Sequence, residues 1–367
     1  MRFSIQRESL LKPLQLVSGV VERRQTLPIL SNILLVVKPK HLSITGTDLE
    51  VEIIIDLPLQ ESIETGETTL PARKFLDICR ALPEEAMLDI AIESDRAVIR
   101  SGKSRFTITT LPAAEFPNME TVHNPNEFAI TQRNLKYLID KTSFAMAQQD
   151  VRYYLNGMMI ELTGNTVRTV ATDGHRLALA QVNTELKVEG IQQVILPRKG
   201  VIELSRLLGD TEDLVQIKLG TNHIRVYLND VTFTSKLIDG KFPDYQRVLP
   251  QGTDKVVTVD KNIMKQALVR TSILSNEKYR GIRMNLKPAT LQIMANNPEL
   301  EEAEEEFAVD YKGKPLEIGF NVTYLVDALT AIDHEQARIH LSDSNSSCMV
   351  QPVGDDNTKY VIMPMRI

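Results

Sequence analysis

Two short segments of the 367-residue chain contain residue types that could support catalysis. Ser101, Gly102, Lys103 and Ser104 match the end of a phosphate-binding loop. That motif also needs a glycine five residues before Gly102, and position 97 is Ala97. The flanking residues alternate as two strands, so the segment is predicted to be a hairpin turn and not a nucleotide site.

The second segment, Asp173–Arg176, places an aspartate two residues before His175, and such a pair could act as orienter and base. The chain has no Gly-x-Ser-x-Gly nucleophile elbow, and no second carboxylate lies at metal-ligand spacing beside the histidine. A structural or binding loop is therefore favoured over a catalytic one. The alternative, an enzyme that uses Gly102–Ser104 or Asp173–His175, predicts nucleotide hydrolysis that is lost when Lys103 is changed.

Composition narrows the class of protein further. The chain is 43% hydrophobic and 25% charged, with 42 Lys and Arg against 48 Asp and Glu, a net charge of −6. Cys79 and Cys348 are the only cysteines, and the six histidines never fall at ligand spacing, so we expect no disulfide framework, no metal site and no cofactor. The longest apolar runs, such as Ile33–Val37, are too short to span a membrane. Two cysteines without a disulfide framework are as expected for a reducing cytoplasm, and the N-terminus, without a long apolar region or a cleavage site, is expected to be that of the mature protein.

An internal repeat predicts the architecture. Leu70 and Pro71 recur as Leu196 and Pro197, 126 residues later, and two further pairs recur at nearly the same interval. Those pairs are Phe116–Pro117 with Phe242–Pro243, and Thr47–Asp48 with Thr172–Asp173. A weaker third copy includes Val257–Asp260, Asn296–Asn297 and Ile318–Asn321. We therefore predict three domains, at residues 1–126, 127–254 and 255–367.

Each copy is predicted to hold two helices and several strands, which makes the fold class α+β with helices packed on antiparallel sheets. In the first copy a helix is expected over residues 7–24, where Pro13 should lie in an early turn or bend the helix. A second helix follows Pro71, with Phe75, Ile78, Cys79 and Leu82 along one apolar stripe. Strands are expected at Ile33–Val37, Leu42–Gly46, Val51–Leu57, Met87–Ile92, Ala97–Arg100 and Phe106–Leu111.

Positive charge is concentrated on the predicted helices. Five of them carry a net charge of +2 each and the sixth carries −2, so the rest of the chain carries −14. Their ranges are 7–24, 72–82, 131–146, 197–208, 260–272 and, for the acidic helix, 322–333. Lys and Arg are good helix formers that also complement helix C-termini, which is one explanation. The other is a basic track that binds phosphates without reading bases.

Three further segments have two interpretations each. Asp150–Asn156, with two tyrosines beside an arginine, is either the start of a strand or a surface loop that contacts nucleic acid or a peptide. The apolar C-terminus, Tyr360–Ile367, is a final core strand, a groove for a partner peptide, or both. The six glutamates within 299–306 form a solvated face or face a basic patch of Arg100, Lys103 and Arg105 on another subunit.

Several blocks together carry a family resemblance: Thr26–Leu30, Thr47–Glu50, Gln149–Gly157, Thr172–Leu177, Gly240–Tyr245, Leu274–Lys278 and Met363–Arg366. On these blocks the chain resembles the beta subunit of bacterial DNA polymerase III, the β sliding clamp family, over essentially its whole length. Two positions depart from the family pattern, since Asn345 and Gln246 stand where an apolar and a basic residue are expected.

The resemblance implies the DNA-clamp fold, in which a homodimer of three-domain subunits closes a six-domain ring. It implies a non-catalytic processivity factor that encircles double-stranded DNA, independently of sequence, after loading by the ATP-driven clamp loader. The implied partners are the DNA polymerase III alpha subunit, the clamp-loader delta subunit and other replication and repair proteins with a short, Gln-led hydrophobic motif. The implied location is the cytoplasm, in association with the nucleoid. A sequence-specific, repressor-like DNA binder is the remaining alternative.

The resemblance also assigns residues to three sites. The partner-peptide groove would use Arg152, Leu155, Thr172, Gly174, His175, Arg176, Leu177, Pro243, Arg247, Val248, Ser347, Val361, Ile362, Met363, Pro364, Met365 and Arg366. DNA would meet Arg24, Gln149, Tyr153 and Tyr154, to which the helical charge count adds Arg73, Arg80, Arg198 and Lys199. The dimer contact would join Phe106 and Ile108 to Ile273 and Leu274, with Lys74 and Lys103 facing the acidic stretch.

Overall fold

The computed structural model describes residues 1–21, 27–60, 62–120, 122 and 126–366, without the side chains of Ser62, Lys187 and Glu189. Its contacts divide the chain into two compact units. The first unit is Met1–Leu135 with Lys199–Leu237, and the second unit is Lys136–Arg198 with Ile238–Ile367. This division differs from the three domains predicted from the repeat, and those boundaries stay a prediction.

The first unit contains two antiparallel sheets with helices α1 (Arg7–Val20) and α2 (Ala72–Ala81). The five-stranded sheet has the order β5-β1-β7-β8-β9 and the eight-stranded sheet the order β10-β13-β14-β15-β4-β3-β2-β6. The strands are β1 (Arg2–Gln6), β2 (Asn32–Lys38), β3 (His41–Thr47), β4 (Val51–Pro58), β5 (Ser62–Glu64), β6 (Gly66–Pro71), β7 (Met87–Glu93), β8 (Arg96–Ser101), β9 (Ser104–Thr109), β10 (Asn126–Thr131), β13 (Leu214–Leu219), β14 (His223–Leu228) and β15 (Val231–Lys236).

The second unit contains two more antiparallel sheets with helices α5 (Lys261–Thr271) and α6 (Val322–Ala331). Their orders are β11-β12-β23-β22-β21-β16 and β19-β18-β17-β20. The strands are β11 (Gly157–Thr172), β12 (Arg176–Pro197), β16 (Lys255–Asp260), β17 (Gly281–Lys287), β18 (Thr290–Asn296), β19 (Glu302–Ala308), β20 (Leu316–Asn321), β21 (Gln336–Leu341), β22 (Cys348–Pro352) and β23 (Thr358–Ile362). The chain passes from one unit to the other within helix α3 (Gln132–Thr142), within helix α4 (Arg198–Leu207) and between Leu237 and Ile238, just after β15.

The predicted fold class, α+β with antiparallel sheets, is confirmed, and every strand predicted in the first copy is present. Helix α1 contains Pro13 in its second turn, and residues 22–24 of its predicted range lie outside the described residues. On α2 the buried positions include Leu76, while Ile78 is only half-buried, so the predicted stripe is displaced by part of a turn. Gly46 brings α1 close to the sheet, since a Cβ there would lie 2.8 Å from the Val17 carbonyl oxygen.

The repeat is visible in the turns that join β3 to β4 and β11 to β12. In the first turn Asp48 Oδ1 accepts hydrogen bonds from the amides of Glu50 (2.9 Å) and Val51 (2.7 Å). In the second, Asp173 Oδ1 accepts from the amides of His175 (2.9 Å) and Arg176 (3.0 Å). Both carboxylates therefore close a turn, as the repeat predicted for Asp173.

The threonine that precedes each aspartate also has the same role in both turns. Thr47 Oγ1 donates to the Val51 carbonyl at 2.9 Å, and Thr172 Oγ1 donates to the Arg176 carbonyl at 2.6 Å. The third copy, between β18 and β19, closes on Asn297, whose Oδ1 accepts the Glu301 amide at 3.0 Å. These turns are equivalent elements of one repeated unit.

Part of the positive charge on the helices serves their own packing. Arg7 Nε donates to the Cys79 carbonyl at 2.9 Å, near the C-terminus of α2, and Lys261 Nζ donates to the Ile332 carbonyl at 3.0 Å, just past α6. Arg133 holds the corresponding place after α4, where its Nε lies 2.7 Å from an Asp210 carboxylate oxygen. Cations at helix C-termini are favourable because of the unpaired carbonyls there. For these side chains the structural explanation of the charge count is sufficient.

Candidate partner-peptide groove

An apolar groove of about 170 Å³ opens on the second unit. The 3₁₀ turn Tyr153–Leu155, the turn between β11 and β12, the 3₁₀ turn Tyr245–Arg247 and the end of β23 supply its walls. Its lining residues are Arg152, Tyr154, Leu155, Thr172, Gly174, Arg176, Leu177, Phe242, Pro243, Tyr245, Val248, Val361 and Met363. The lining is mainly aliphatic and aromatic, which suits the apolar side chains of a bound segment.

The groove floor belongs to a buried hydrophobic cluster on one face of the β11-β12-β23 sheet. Its buried members are Met159, Val170, Leu177, Leu179, Ile195, Phe242, Tyr245 and Val361. Strand β12 pairs with β23 so that Leu177 lies opposite Val361. Beyond the strand, the Met363 amide donates to the His175 carbonyl at 2.9 Å, which keeps the C-terminal segment beside the turn. Both interpretations of the apolar C-terminus are therefore compatible, because Val361 is core and Met363 remains 40% exposed.

Arg152 lies at the groove rim with its guanidinium held by Asp150. Arg152 Nε and Nη2 donate to the two carboxylate oxygens of Asp150, at 3.0 and 2.9 Å. The hydrogen bond from Arg152 lowers the pKa of Asp150 to about 2, so the pair stays ionised over a wide pH range. Gly174 lies directly above it, with a φ of +87° and a Cβ position only 2.9 Å from Arg152 Nη2. A side chain there would displace the arginine.

Arg176 also lines the groove, but its guanidinium is bound within the second unit. Its Nε, Nη1 and Nη2 donate to Asp173 Oδ2 (3.1 Å), Asp327 Oδ2 (2.5 Å) and the Phe144 carbonyl (2.8 Å). The guanidinium carbon lies 4.6 Å from the Tyr324 ring centroid, so the cation is also stacked on an aromatic face. The stem of Arg176 is left to form part of the groove wall, while its charge joins β12 to α6.

Tyr245 contributes its ring to the groove and its hydroxyl to a buried polar network. The hydroxyl donates to Glu161 Oε1 at 2.8 Å and accepts from Arg168 Nη1 at 2.7 Å. Burial is the main cause that raises the pKa of Tyr245, and its hydrogen bond to Glu161 raises it further. The phenol therefore stays protonated and able to donate.

Ten of the seventeen residues predicted for the groove line the cavity. The seven that do not line it are His175, Arg247, Ser347, Ile362, Pro364, Met365 and Arg366. Ile362 is buried, because it faces the core at the end of β23, and exposed Arg247 pairs with Asp244 at 2.9 Å. The prediction missed Phe242 and Tyr245, which the repeated Phe-Pro pair and the quoted Gly240–Tyr245 block could have indicated. It assigned Tyr154 to DNA alone.

The residues predicted to contact DNA have different environments. Gln149 and Tyr153 are exposed on a surface loop, which favours the loop interpretation of Asp150–Asn156 over a strand. Arg73 and Arg80 are exposed on α2. Arg198 Nη1 donates to the Met146 carbonyl at 3.4 Å, and Lys199 pairs with Asp48 and donates to the Val20 carbonyl at 3.2 Å. Arg24 lies outside the described residues.

The residues predicted for the dimer contact lie at sheet edges or on the surface. Phe106 and Ile108 are half-buried on β9, an edge strand, and the acidic strand β19 is the edge of another sheet. Ile273 is 74% exposed after α5, while Leu274 is half-buried. Lys74 and Lys103 are exposed, and Lys103 lies in the predicted hairpin turn between β8 and β9.

Comparison with known proteins identifies the family. The family models for the DNA polymerase III beta subunit match in three parts: the N-terminal domain at residues 1–120, the central domain at 129–244 and the C-terminal domain at 246–366. The chain belongs to the DNA polymerase III beta subunit family. The resemblance found in the sequence is thereby confirmed.

Relatives of this family match over the whole length. The beta sliding clamp of Pseudomonas putida is 58% identical over 367 residues, covering 100% of both chains. The crystal structure of the DNA polymerase III subunit beta from Pseudomonas aeruginosa is 56% identical, with a TM-score of 0.97 and 100% coverage of both chains. That from Caulobacter crescentus is 39% identical, with a TM-score of 0.94 and the same coverage.

Membership confirms the predicted DNA-clamp fold and the predicted function. The chain is a DNA sliding clamp, a processivity factor of replication without a catalytic role of its own, and its partners are DNA and a DNA polymerase. Among the described residues no group of three or more His, Cys, Asp or Glu could hold a metal ion, and no helix is long and apolar enough to cross a membrane.

Proposed function

We propose that two copies of this chain close a ring around double-stranded DNA, and that the groove on each copy binds the short, Gln-led hydrophobic motif of proteins that act on that DNA. The occupants are the polymerase III alpha subunit, the clamp-loader delta subunit and other replication and repair proteins. The observation that carries the groove assignment is the apolar cavity lined by Leu155, Leu177, Val248 and Val361. Because the protein acts on DNA, we expect it in the cytoplasm, at the nucleoid.

The homodimer is supported by the edges that the repeat leaves open. Strand β4 pairs with β15, and its equivalent in the second copy, β12, pairs with β23. In the third copy the equivalent of β4 and β12 is β19, and in the first copy the equivalent of β15 and β23 is β9. Among the described strands, β19 and β9 are both sheet edges. Because the same pairing recurs twice within the chain, we expect β19 of one copy to pair with β9 of another.

The repeat also predicts the register of that pairing. Phe233 lies opposite Ile53, and Tyr360 lies opposite Ala178. The equivalent residues at the open edges are Phe106 and Ala303. Phe233 and Tyr360 are at most 1% exposed, whereas Phe106 is half-buried, so the pairing would complete its burial.

This register would place Arg105 of β9 against the acidic strand β19. Arg105 would face Glu304, and both side chains are exposed. The opposite charges on the two edges give the pairing its specificity and oppose pairing of either edge with itself.

Cysteine pairs test the register. Arg105→Cys combined with Glu304→Cys should give a disulfide-linked dimer on a non-reducing gel, because directly opposite residues in an antiparallel pair lie within disulfide reach. Arg105→Cys with Glu302→Cys is the matched control, since the second cysteine then lies two residues further along β19 on the same face. Linking of the control pair, or of neither pair, would contradict the register.

Solution mass tests the dimer itself. Ile273→Ala with Leu274→Ala should yield monomers by light scattering, because the change removes apolar side chains at the contact. Ile263→Ala is the control, as Ile263 is 52% exposed on α5 and has no place in the predicted contact. An unchanged dimer mass of the double variant would refute the assignment of Ile273 and Leu274.

Retention on DNA tests the ring. The loaded protein should stay on nicked circular DNA and dissociate once the circle is cut, because a ring is held by topology and not by tight contacts. A sequence-specific binder would stay on the linear fragment. Stable retention on linear DNA with free ends would refute the proposal.

Peptide binding tests the groove. Burial of a whole Met side chain contributes about 1.5–3 kcal/mol. Met363 is 40% exposed, so covering the remainder contributes about 0.6–1.2 kcal/mol, or about a three- to eightfold loss of affinity in Met363→Ala. Met87→Ala is the matched control, because Met87 is 43% exposed on β7, away from the groove. Fluorescence anisotropy with a labelled Gln-led peptide measures both, and equal affinities would contradict the groove assignment.

A further inference from the structure

A cluster of five polar side chains adjoins the hydrophobic cluster of the groove floor, and we name it the floor cluster: Glu161, Arg168, Gln181, Gln193 and Tyr245. Glu161 is its centre and is only 3% exposed. The carboxylate accepts the Tyr245 hydroxyl at 2.8 Å and Gln193 Nε2 at 2.7 Å, and it forms an ion pair with Arg168. Only Tyr245 also lines the groove.

Arg168 is held in one orientation by the rest of the floor cluster. Its Nε and Nη2 donate to Gln181 Oε1 at 3.1 and 2.8 Å, and its Nη1 donates to the Tyr245 hydroxyl at 2.7 Å. Because three nitrogens of one planar group have fixed partners, the hydroxyl of Tyr245 has one preferred position.

The groove wall formed by Phe242–Val248 depends on side chains for its position. This segment supplies Phe242, Pro243, Tyr245 and Val248 to the lining. Within the part of the chain that the structure describes, its backbone-to-backbone hydrogen bonds are internal: the Arg247 amide to the Asp244 carbonyl and the Val248 amide to the Tyr245 carbonyl. The wall is therefore joined to the sheet by side chains: by the burial of Phe242 and of the Tyr245 ring, by the packing of Val248, and by the bonds of the Tyr245 hydroxyl.

A bulge in β11 makes the floor cluster possible. Glu161 and Arg168 are seven residues apart, so a regular strand would place them on opposite faces. The β11–β12 register shifts on both sides of Gly164, whose φ of +59° is in the left-handed region. The shift returns Arg168 to the face of Glu161, opposite Gln181, while Glu161 lies opposite Gln193.

The ion pair itself is weak as an explanation of stability, because a buried pair can usually be replaced by apolar residues without loss. The fixed geometry of the pair instead favours a role in holding the Tyr245 hydroxyl in one position. We propose that Glu161 and Arg168 are positioning residues for peptide binding, which hold the Tyr245 hydroxyl and so fix the Phe242–Val248 wall of the groove. This inference rests on the proposed function of the groove.

A double-mutant cycle on peptide affinity tests the inference in the full-length protein. The variants are Tyr245→Phe, Arg168→Gln and both together, and the probe is a fluorescein-labelled, Gln-led hydrophobic peptide followed by anisotropy at 25 °C. Each single change should weaken binding about fivefold, the equivalent of one lost hydrogen bond. The double variant should bind as well as either single variant, because Arg168 acts through a hydroxyl that Tyr245→Phe has already removed.

Tyr311→Phe is the matched control for loss of a buried hydroxyl. Tyr311 is 5% exposed in the same unit, and its hydroxyl donates to the Lys314 carbonyl at 2.6 Å, outside the groove. Its affinity for the peptide should equal that of the wild type. Arg168→Lys keeps the positive charge and one donor, so it should recover part of the lost affinity. If thermal melts show that Arg168→Gln is unfolded at 25 °C, Arg168→Lys replaces it in the cycle.

The outcomes separate this inference from the proposed function. Losses that multiply in the double variant, or single variants that bind like the wild type, would overturn the positioning role while leaving the groove assignment intact. Failure of the wild type to bind the peptide would refute the groove assignment itself.

Discussion

Two arginines of the groove, Arg152 and Arg176, were assigned the same role by resemblance, but their contacts predict effects on stability of very different size. Arg176 is 13% exposed and donates to two carboxylates and a carbonyl. Arg152 is 47% exposed and its ion-pair partner is Asp150, on the same loop. Replacing each by alanine therefore compares the stability contributed by a side chain that joins three elements with that contributed by one at the groove rim.

The contacts of Arg176 set the size of the effect. Removing one partner of a buried ion pair costs about 3–5 kcal/mol. We expect the lower end, about 3 kcal/mol, because Asp327 is 35% exposed and Asp173 keeps two backbone amides as donors. For a folded unit of this size that corresponds to a fall in Tm of about 6–12 °C. Arg152→Ala should lower the free energy of unfolding by at most about 1 kcal/mol, the range for an exposed ion pair.

Thermal melts followed by circular dichroism measure both changes. Arg176→Lys should have a Tm between those of the wild type and the alanine variant. Its ammonium group keeps the positive charge but cannot replace a guanidinium that has three differently directed partners. The reasoning would be refuted by an Arg176→Ala protein that melts with the wild type, or by an Arg152→Ala protein that melts as low as Arg176→Ala.

Three further predictions concern single sites. Gly174→Ala should lower the free energy of unfolding by about 1–2 kcal/mol in urea titrations, because an alanine at a φ of +87° is strained and crowds Arg152; an unchanged midpoint would argue against this. Asp150 should titrate at a pKa of about 2 by carboxyl carbon NMR, so its contribution to stability is complete above its ordinary pKa and is lost as the pH falls toward 2; titration near about 3.9 would contradict the ion pair. Burial raises the pKa of Cys79 and Cys348 to about 12, so neither thiol should react with Ellman's reagent at pH 8 until the protein is unfolded, and rapid reaction of the native protein would disagree.

Much of the local structure could be predicted because the repeat and the side-chain periodicity are both visible in one sequence. Thr47–Asp48 and Thr172–Asp173 form equivalent turns because the hydrogen bonds that close them lie within five residues. The resemblance added most of the groove residues. Phe106 and Ile108 could be placed on an edge strand only by that resemblance, since which strand ends a sheet is decided by pairing between distant residues.

The floor cluster could not be predicted, and the reason is physical. Strict alternation along β11 assigns Glu161 and Arg168 to opposite faces, and only the register shifts around Gly164 bring them together. A bulge depends on the pairing of two strands, and the sequence of one strand does not specify it. The role of Arg176 was hidden for a related reason, because Asp327 and Phe144 are distant in sequence.

The net charge of the helices does not by itself show which cations can contact DNA, because some of them are bound within the protein. Arg7, Arg133 and Lys261 bond to groups at the ends of neighbouring helices, so they are not free to neutralise phosphates. Arg73 and Arg80 remain exposed on α2. Each phosphate contact adds about 0.9 to the slope of log affinity against log salt, so every helical cation that is bound within the protein makes the expected salt dependence of direct DNA binding weaker and shallower. Weak contacts permit sliding, and a protein that relies on them must obtain its retention on DNA from closure of the proposed ring.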